Sequence, residues 1–137
     1  NSLWATLRRN IGNRADMTRH EDSIELGVPD VSYGYRNVNG WIELKYLPGF
    51  PKRETTPVRV RHFTEHQRYF LKERGRKGGH CWLLLQINRT YYLFSYSAID
   101  IIGHVPKKEL EEAAYIIWQH KINYNELLCI LQTQIQR

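Results

Sequence analysis

The stretch Cys81-Trp82-Leu83-Leu84-Leu85-Gln86-Ile87 constrains this chain more than any other. A strand sends alternate side chains to opposite faces, so a run that is apolar at both parities must be covered from both sides. That places it in the middle of a sheet between other layers. Asn88-Arg89 then turns the chain into a second strand, Thr90–Tyr96. Leu3, Trp4, Leu7 and Ile11 recur at helical spacing, so residues 3–10 read as a first helix, with Ser2 placed to cap it and Gly12 to end it. Met17–Leu26 reads as a strand leading to a turn, Val58–His62 as a short edge strand, and Thr64 opens a helix that runs to about Arg74, with Gly75, Gly78 and Gly79 ending it. Pro48–Pro57, with its prolines and Gly49, is a loop. Pro106 suits a helix N1 position, and Lys107–Gln119 and Tyr124–Gln136 read as two amphipathic helices. The sum is an α/β fold: a central mixed β-sheet flanked by helices, in one domain spanning residues 1–137.

Several function classes drop out. The longest apolar runs, Cys81–Leu85 and Ala113–Trp118, are far short of the ~20 residues a spanning helix needs. Arg8 and Arg9 follow the apolar positions of the first segment, the reverse of a secretory signal. Two cysteines, Cys81 and Cys129, make no disulfide framework and no zinc site, so a reducing, cytoplasmic setting is expected.

The net charge of +6 is unevenly spread. Residues 1–50 are balanced and residues 91–137 carry a net −1, whereas residues 51–90 hold ten basic side chains against three acidic ones. One basic face is what a protein meeting DNA or RNA presents, although a solvated helix and loop have the same composition. The candidate contacts to nucleic acid are Lys52, Arg53, Arg59 and Arg61, then Arg68, Lys72, Arg76 and Lys77.

The chemistry concentrates in one hairpin, where Gly27-Val28-Pro29-Asp30 precedes Glu43-Leu44-Lys45 by thirteen residues, counted from Asp30 to Glu43. Alternation puts Glu43 and Lys45 on one face, and an Asp30 lying across from Glu43 would complete a pair of carboxylates able to hold a hard cation such as magnesium. A turn carboxylate and the charged outer face of a strand have the same pattern. The register is in tension. Val31–Tyr35 and Trp41–Leu47 form the hairpin, and Asn39-Gly40 is a strong turn dipeptide, yet a turn there would pair Glu43 with Arg36. The site calls for a wider loop centred near Arg36-Asn37.

With Arg19-His20-Glu21, Gly40-Trp41-Ile42 before Glu43-Leu44-Lys45, and Thr64-Glu65-His66-Gln67, the order from about Thr18 to Tyr96 resembles the PD-(D/E)xK nuclease superfamily. Within it the likeness is to small phage nucleases akin to the virus-type replication-repair nucleases and to Holliday-junction resolvases. The resemblance implies a restriction-endonuclease-like fold and a DNA endonuclease using Mg²⁺ or Mn²⁺, with Asp30, Glu43 and the carbonyl of Leu44 as metal ligands and Lys45 serving the water. It implies an upstream acid as further ligand, Glu21 with Glu25 as its rival, and a helix glutamine near the site, Gln67, which also completes a capping box with Thr64. Residues 1–10 lack the acid that many resolvases supply there, which leaves one or two metals open. The implied partner is DNA, branched in the favoured reading, cut by a homodimer away from any membrane, in the host cytoplasm if the chain is phage-encoded. A repair or nicking nuclease and a non-catalytic nucleic-acid binding module are the alternatives. His20, His62 and His66 flank these motifs and receive no catalytic role. Tyr33, Tyr35, Trp41, Tyr46 and Phe50 could stack on bases, but packing the sheet is the ordinary role of such residues.

Overall fold

The computed structural model describes residues 2–21 and 26–133. Its centre is a six-stranded sheet in sequential order: β1 (Asp16–Arg19), β2 (Val31–Tyr35), β3 (Val38–Leu47), β4 (Cys81–Ile87), β5 (Thr90–Ser95) and β6 (Ile116–Gln119). Every neighbouring pair is antiparallel except β3 and β4, which are parallel. The sheet is therefore mixed, two antiparallel meanders joined by one crossover. That crossover carries α2 (Glu65–Gly78). As its composition requires, β4 is buried on both faces. Trp82 and Leu84 pack with Leu3, Leu7 and Ile11 of α1 (Ser2–Ile11) and with Leu127 and Leu131 of α4 (Tyr124–Leu131). Leu83 and Leu85 face the other way, against Leu71 of α2, Ile99 of the 3₁₀ turn Tyr96–Ile101, and Leu110 of α3 (Lys107–Ala113). The fold is α/β, one mixed sheet between two helical layers. No helix among the described residues is long and apolar enough to cross a membrane.

Several expectations are corrected. The helix expected over Lys107–Gln119 stops at Ala113; Ala114 is extended, and Ile116–Gln119 becomes β6. Without β6, β5 would expose a row of unpaired backbone groups; Ile116, Ile117 and Trp118 suit a strand and pair with Leu93, Tyr92 and Tyr91. Val58–His62 is no strand. Val58 is buried and donates its N–H to the Val105 carbonyl, and His62 has a left-handed φ of 61° that no regular strand accepts. Gly75 does not end α2, which continues to a left-handed Gly79 at φ 84°. It is glycine because the Tyr96 ring lies where its Cβ would be. Leu127, Leu128 and Leu131 of α4 are buried in the core.

The hairpin between β2 and β3 sets the register of everything near the site. Its loop is centred at Arg36-Asn37, as expected, but is tight and not wide: Tyr35 pairs with Val38, and the two loop residues take φ of 48° and 67°. Two positive φ values make the type I′ turn that matches strand twist. Asn39-Gly40, the dipeptide that reads as a turn, lies inside β3. Gly40 is needed there because a Cβ would run into the Tyr33 hydroxyl and lie 2.6 Å from the His80 carbonyl oxygen. Gly40→Ala should therefore lower stability by about 1–3 kcal/mol. Arg36→Asn with Asn37→Gly should raise it by about 1 kcal/mol by relieving left-handed strain. Urea unfolding of the variants beside the parent checks both signs.

Candidate active site

Glu43 lies in the middle of β3 with 1% of its surface exposed. The register places it correctly: one step beyond the Val31–Ile42 pair, Asp30 comes opposite Glu43. The two are laced together by backbone as well as side chain. The Asp30 N–H donates to Glu43 Oε1 at 3.2 Å, and the Leu44 N–H donates to Asp30 Oδ2 at 2.8 Å. Lys45, two residues on and so on the same face, places Nζ 3.2 Å from Glu43 Oε2. The same ammonium donates to the His62 carbonyl at 2.8 Å and to Gln67 Oε1 at 3.2 Å. An ammonium has three N–H groups, and here three acceptors surround it.

Gln67 does two jobs. It closes the capping box of α2, with its N–H donating to Thr64 Oγ1 and its Oε1 accepting from the Thr64 N–H, and that same Oε1 holds Lys45. The start of the helix and the position of the lysine thus depend on one side chain. Sequence reasoning missed the His62 carbonyl, because only a left-handed backbone at that residue turns it toward Lys45 and no side-chain pattern announces it.

Burial pushes the Glu43 carboxyl up to about 7, the neighbouring Asp30 charge pushes the same way, and Lys45 opposes both. The buried Glu43 carboxylate and the half-buried Asp30 carboxylate, beside the Leu44 backbone, form a hard-oxygen donor set of the kind magnesium or manganese takes, with lone pairs beyond those the hydrogen bonds occupy. The residues present fit such a cation. Glu21 is placed elsewhere: it is exposed and pairs with Arg19 at 3.5 Å. Glu25 lies outside the described residues. No group of three His, Cys, Asp or Glu side chains among the described residues is arranged to hold a metal. The histidine of the same motif, His20, does lie in the row of the carboxylates: its N–H donates to the Asp30 carbonyl, and Nε2 is 2.7 Å from Ser32 Oγ.

Beside Lys45 opens a cleft of about 780 Å³, bordered by Tyr46, Phe50, Arg59, Arg61 and His62. Arg59 and Arg61 are exposed on its rim, and Lys52 and Arg53 are exposed in the same segment. The cations of α2 are differently placed. Arg68 turns inward: it donates to the carbonyls of Ile99 and Ile102 at 3.0 and 2.7 Å and lies over the Phe63 ring, so its guanidinium is committed to the fold. Lys72 pairs with Asp100, and Arg76 and Lys77 pair with Glu73 on the solvent side. Of the aromatic residues, Tyr33 is buried in the core and Tyr46 is exposed.

No family model matches the chain, and no curated protein matches it. Among solved structures the chain is similar to Hjc of Archaeoglobus fulgidus, a Holliday junction resolvase from an archaeal hyperthermophile. The two are 16% identical, and the match covers 71% of this chain and 77% of that chain at a TM-score of 0.49.

The buried acid generates a pH signature. Because folding raises the pKa of Glu43, the folded protein holds that proton more tightly than the unfolded chain does. The resulting stability is present in full below about 4.5 and is lost as the pH rises through about 7. Glu43→Gln removes this titration. In EDTA its stability relative to the parent should rise by roughly 3 kcal/mol between about pH 4 and about pH 8. Parallel urea titrations at the two pH values measure the difference, and a pH-independent offset would place the carboxylate in water.

Proposed function

We propose that this chain is a divalent-cation-dependent DNA endonuclease that hydrolyses phosphodiester bonds. The observation that carries the reading is the closed set of contacts among Asp30, Glu43 and Lys45, with Gln67 as the lysine's brace. Asp30, Glu43 and the Leu44 carbonyl would hold magnesium or manganese, and Glu21 would have to move to join them. When bound, the cation supplies charge neutralisation at the phosphoryl group and makes water acidic enough to attack at neutral pH. The chain's own residues do the positioning. Gln67 and the His62 carbonyl fix the Lys45 ammonium at the edge of the carboxylate pair, where its third N–H, now paired with Glu43, can turn to the attacking water or to a phosphate oxygen as negative charge develops. Arg59 and Arg61, with Lys52 and Arg53 in the same segment, supply a positive rim along which a phosphodiester backbone can run.

A phage-type branched-DNA resolvase is the favoured form of this reading. Paired incisions across a four-way junction need two sites, and a two-fold homodimer supplies them against the junction's own symmetry. Its contact surface must lie away from the buried leucines of α4. A nicking or repair nuclease would work as a monomer.

Cutting of a cruciform plasmid should need Mg²⁺ or Mn²⁺, and Ca²⁺ should support binding with little cutting, since its looser oxygen shell does not align the attack. Lys45→Met should lower turnover by at least about 100-fold while calcium-supported binding persists. Undiminished cutting in EDTA would leave a metal-independent chemistry, binding without cutting under any cation would leave a nucleic-acid binding module, and sedimentation with product mapping separates paired incision from nicking. Removing Arg53, Arg59 or Arg61 should flatten the slope of log K against log salt by about 1 each. Arg68→Ala should leave the slope unchanged and lower stability by about 1–3 kcal/mol, because its donors serve buried carbonyls.

A further inference from the structure

The carboxylates do not lie alone on their face of the sheet. Strand pairing repeats a row across β1, β2 and β3 every second residue: His20, Asp30 and Glu43; then Thr18, Ser32 and Trp41; then Asp16, Gly34 and Asn39. On the opposite face the same strands present Met17, Val31, Tyr33 and Ile42 to the core. Over β4 and β5 the carboxylate face is covered by α2 and its neighbours, but over the second and third rows it opens into a cleft of about 490 Å³. Arg74 and Gly78 at the end of α2, together with His80, form its far wall. This trough and the basic cleft lie at opposite ends of β3, with Glu43 between them.

Three details mark the trough as a place for a ligand. Gly34 sits in mid-strand on its floor without a left-handed φ, and among the described residues a Cβ there would meet only Asn39 Oδ1, at 3.4 Å. Neither backbone nor packing requires glycine at that position, unlike Gly40, and a glycine that weakens a strand without such a reason commonly marks close approach by another group. His80 borders the wall, and its Nδ1 is buried with no hydrogen-bond partner among the described residues; burial favours the neutral form. A buried polar atom left unpaired in a native fold calls for a partner. Trp41 is held as a rigid wall by the His20 ring at 5.2 Å, the edge-on Phe70 ring at 5.1 Å and the Arg74 guanidinium.

An aromatic wall with Asn, Asp, Thr and an imidazole around a bare floor suits a planar heterocycle that offers donors and acceptors at its edge. Trp41 precedes Glu43 by two strand residues, about 7 Å along β3. We infer that this trough takes one unstacked nucleobase of the strand being cut, next to the scissile phosphate and on the side away from the basic cleft. The inference rests on the nuclease reading and sharpens it. A base within a duplex stack cannot enter a trough walled by Trp41 and Arg74, so the enzyme selects DNA in which a nucleotide beside the cut is already unpaired, as at a junction or a flap.

The test uses the full chain and a four-way junction whose cut has been mapped with Mg²⁺. Abasic residues are placed one at a time on either side of the cut. At one flanking position the parent should cut the natural junction at least 10-fold faster than the abasic one. In Gly34→Val, which fills the floor without touching the carboxylates, that ratio should fall close to one. With Ca²⁺, 2-aminopurine at the same position should change fluorescence on binding the parent and not on binding the variant. Asn39→Leu, at an exposed site in the same row, carries the test if Gly34→Val melts early. The inference is overturned if abasic substitution at every flanking position leaves the parent's rate unchanged, or if both variants keep the parent's ratio. A parent that cuts nothing, yet gives a 2-aminopurine response at one of the junction's branch-point nucleotides that Gly34→Val abolishes, would remove the nuclease reading and leave the base site standing.

Discussion

A carboxylate buried in the middle of a sheet must be answered by its surroundings, and much of this molecule is arranged to answer Glu43. Lys45 supplies the opposite charge, Asp30 and Leu44 supply backbone N–H groups to the acid pair, and the segment between β3 and α2 returns to place the His62 carbonyl on the lysine. Gln67 ties that arrangement to the first turn of α2. Breaking a buried pair by deleting one partner typically costs several kcal/mol, whereas an apolar replacement of the whole group is often tolerated. A buried ion pair contributes little to stability by itself, which supports the functional reading proposed for these contacts.

The carboxylate pair depends in turn on a two-residue turn some distance away. Because side chains alternate with a period of two, moving the hairpin register by one residue would send Glu43 and Lys45 into the α1 and α4 layer. The tight loop at Arg36-Asn37 and the glycine at position 40 prevent this together: the loop counts the residues, and Gly40 lets Tyr33 and His80 close over β3. The strain of two left-handed non-glycine residues at the turn is the cost of putting Asp30 beside Glu43.

Charge is divided by location. Segment 48–63 carries exposed cations on a cleft that begins at Lys45, while Arg68 on the following helix is used up by carbonyls of the 3₁₀ turn and the residue after it. A basic composition therefore exaggerates the cationic surface, since an arginine that satisfies buried carbonyls is part of the fold's hydrogen bonding and is withdrawn from any polyanion.

The amino-acid sequence by itself determined the layers, and by resemblance it singled out Asp30, Glu43, Lys45 and Gln67 as the set proposed to carry chemistry. The unbroken apolar run of β4 demanded cover on both faces, and the Asn88-Arg89 turn and the Thr64 cap announced their elements. Each of these structural signals is local, a periodicity or a cap that neighbouring residues complete among themselves. Tertiary structure alone decided the rest. Ile116–Gln119 is a strand because the open edge of β5 needed partners, and position 75 is a glycine inside α2 because the Tyr96 ring fills the space a side chain would take. Asn39-Gly40 is strand and not turn because Tyr33 and His80 press on it from elsewhere in the chain. Arg68 faces inward because the buried carbonyls of Ile99 and Ile102 accept from its guanidinium. In every one of these cases the partner that settles the matter is distant in sequence, and a residue's own neighbours carry no trace of it.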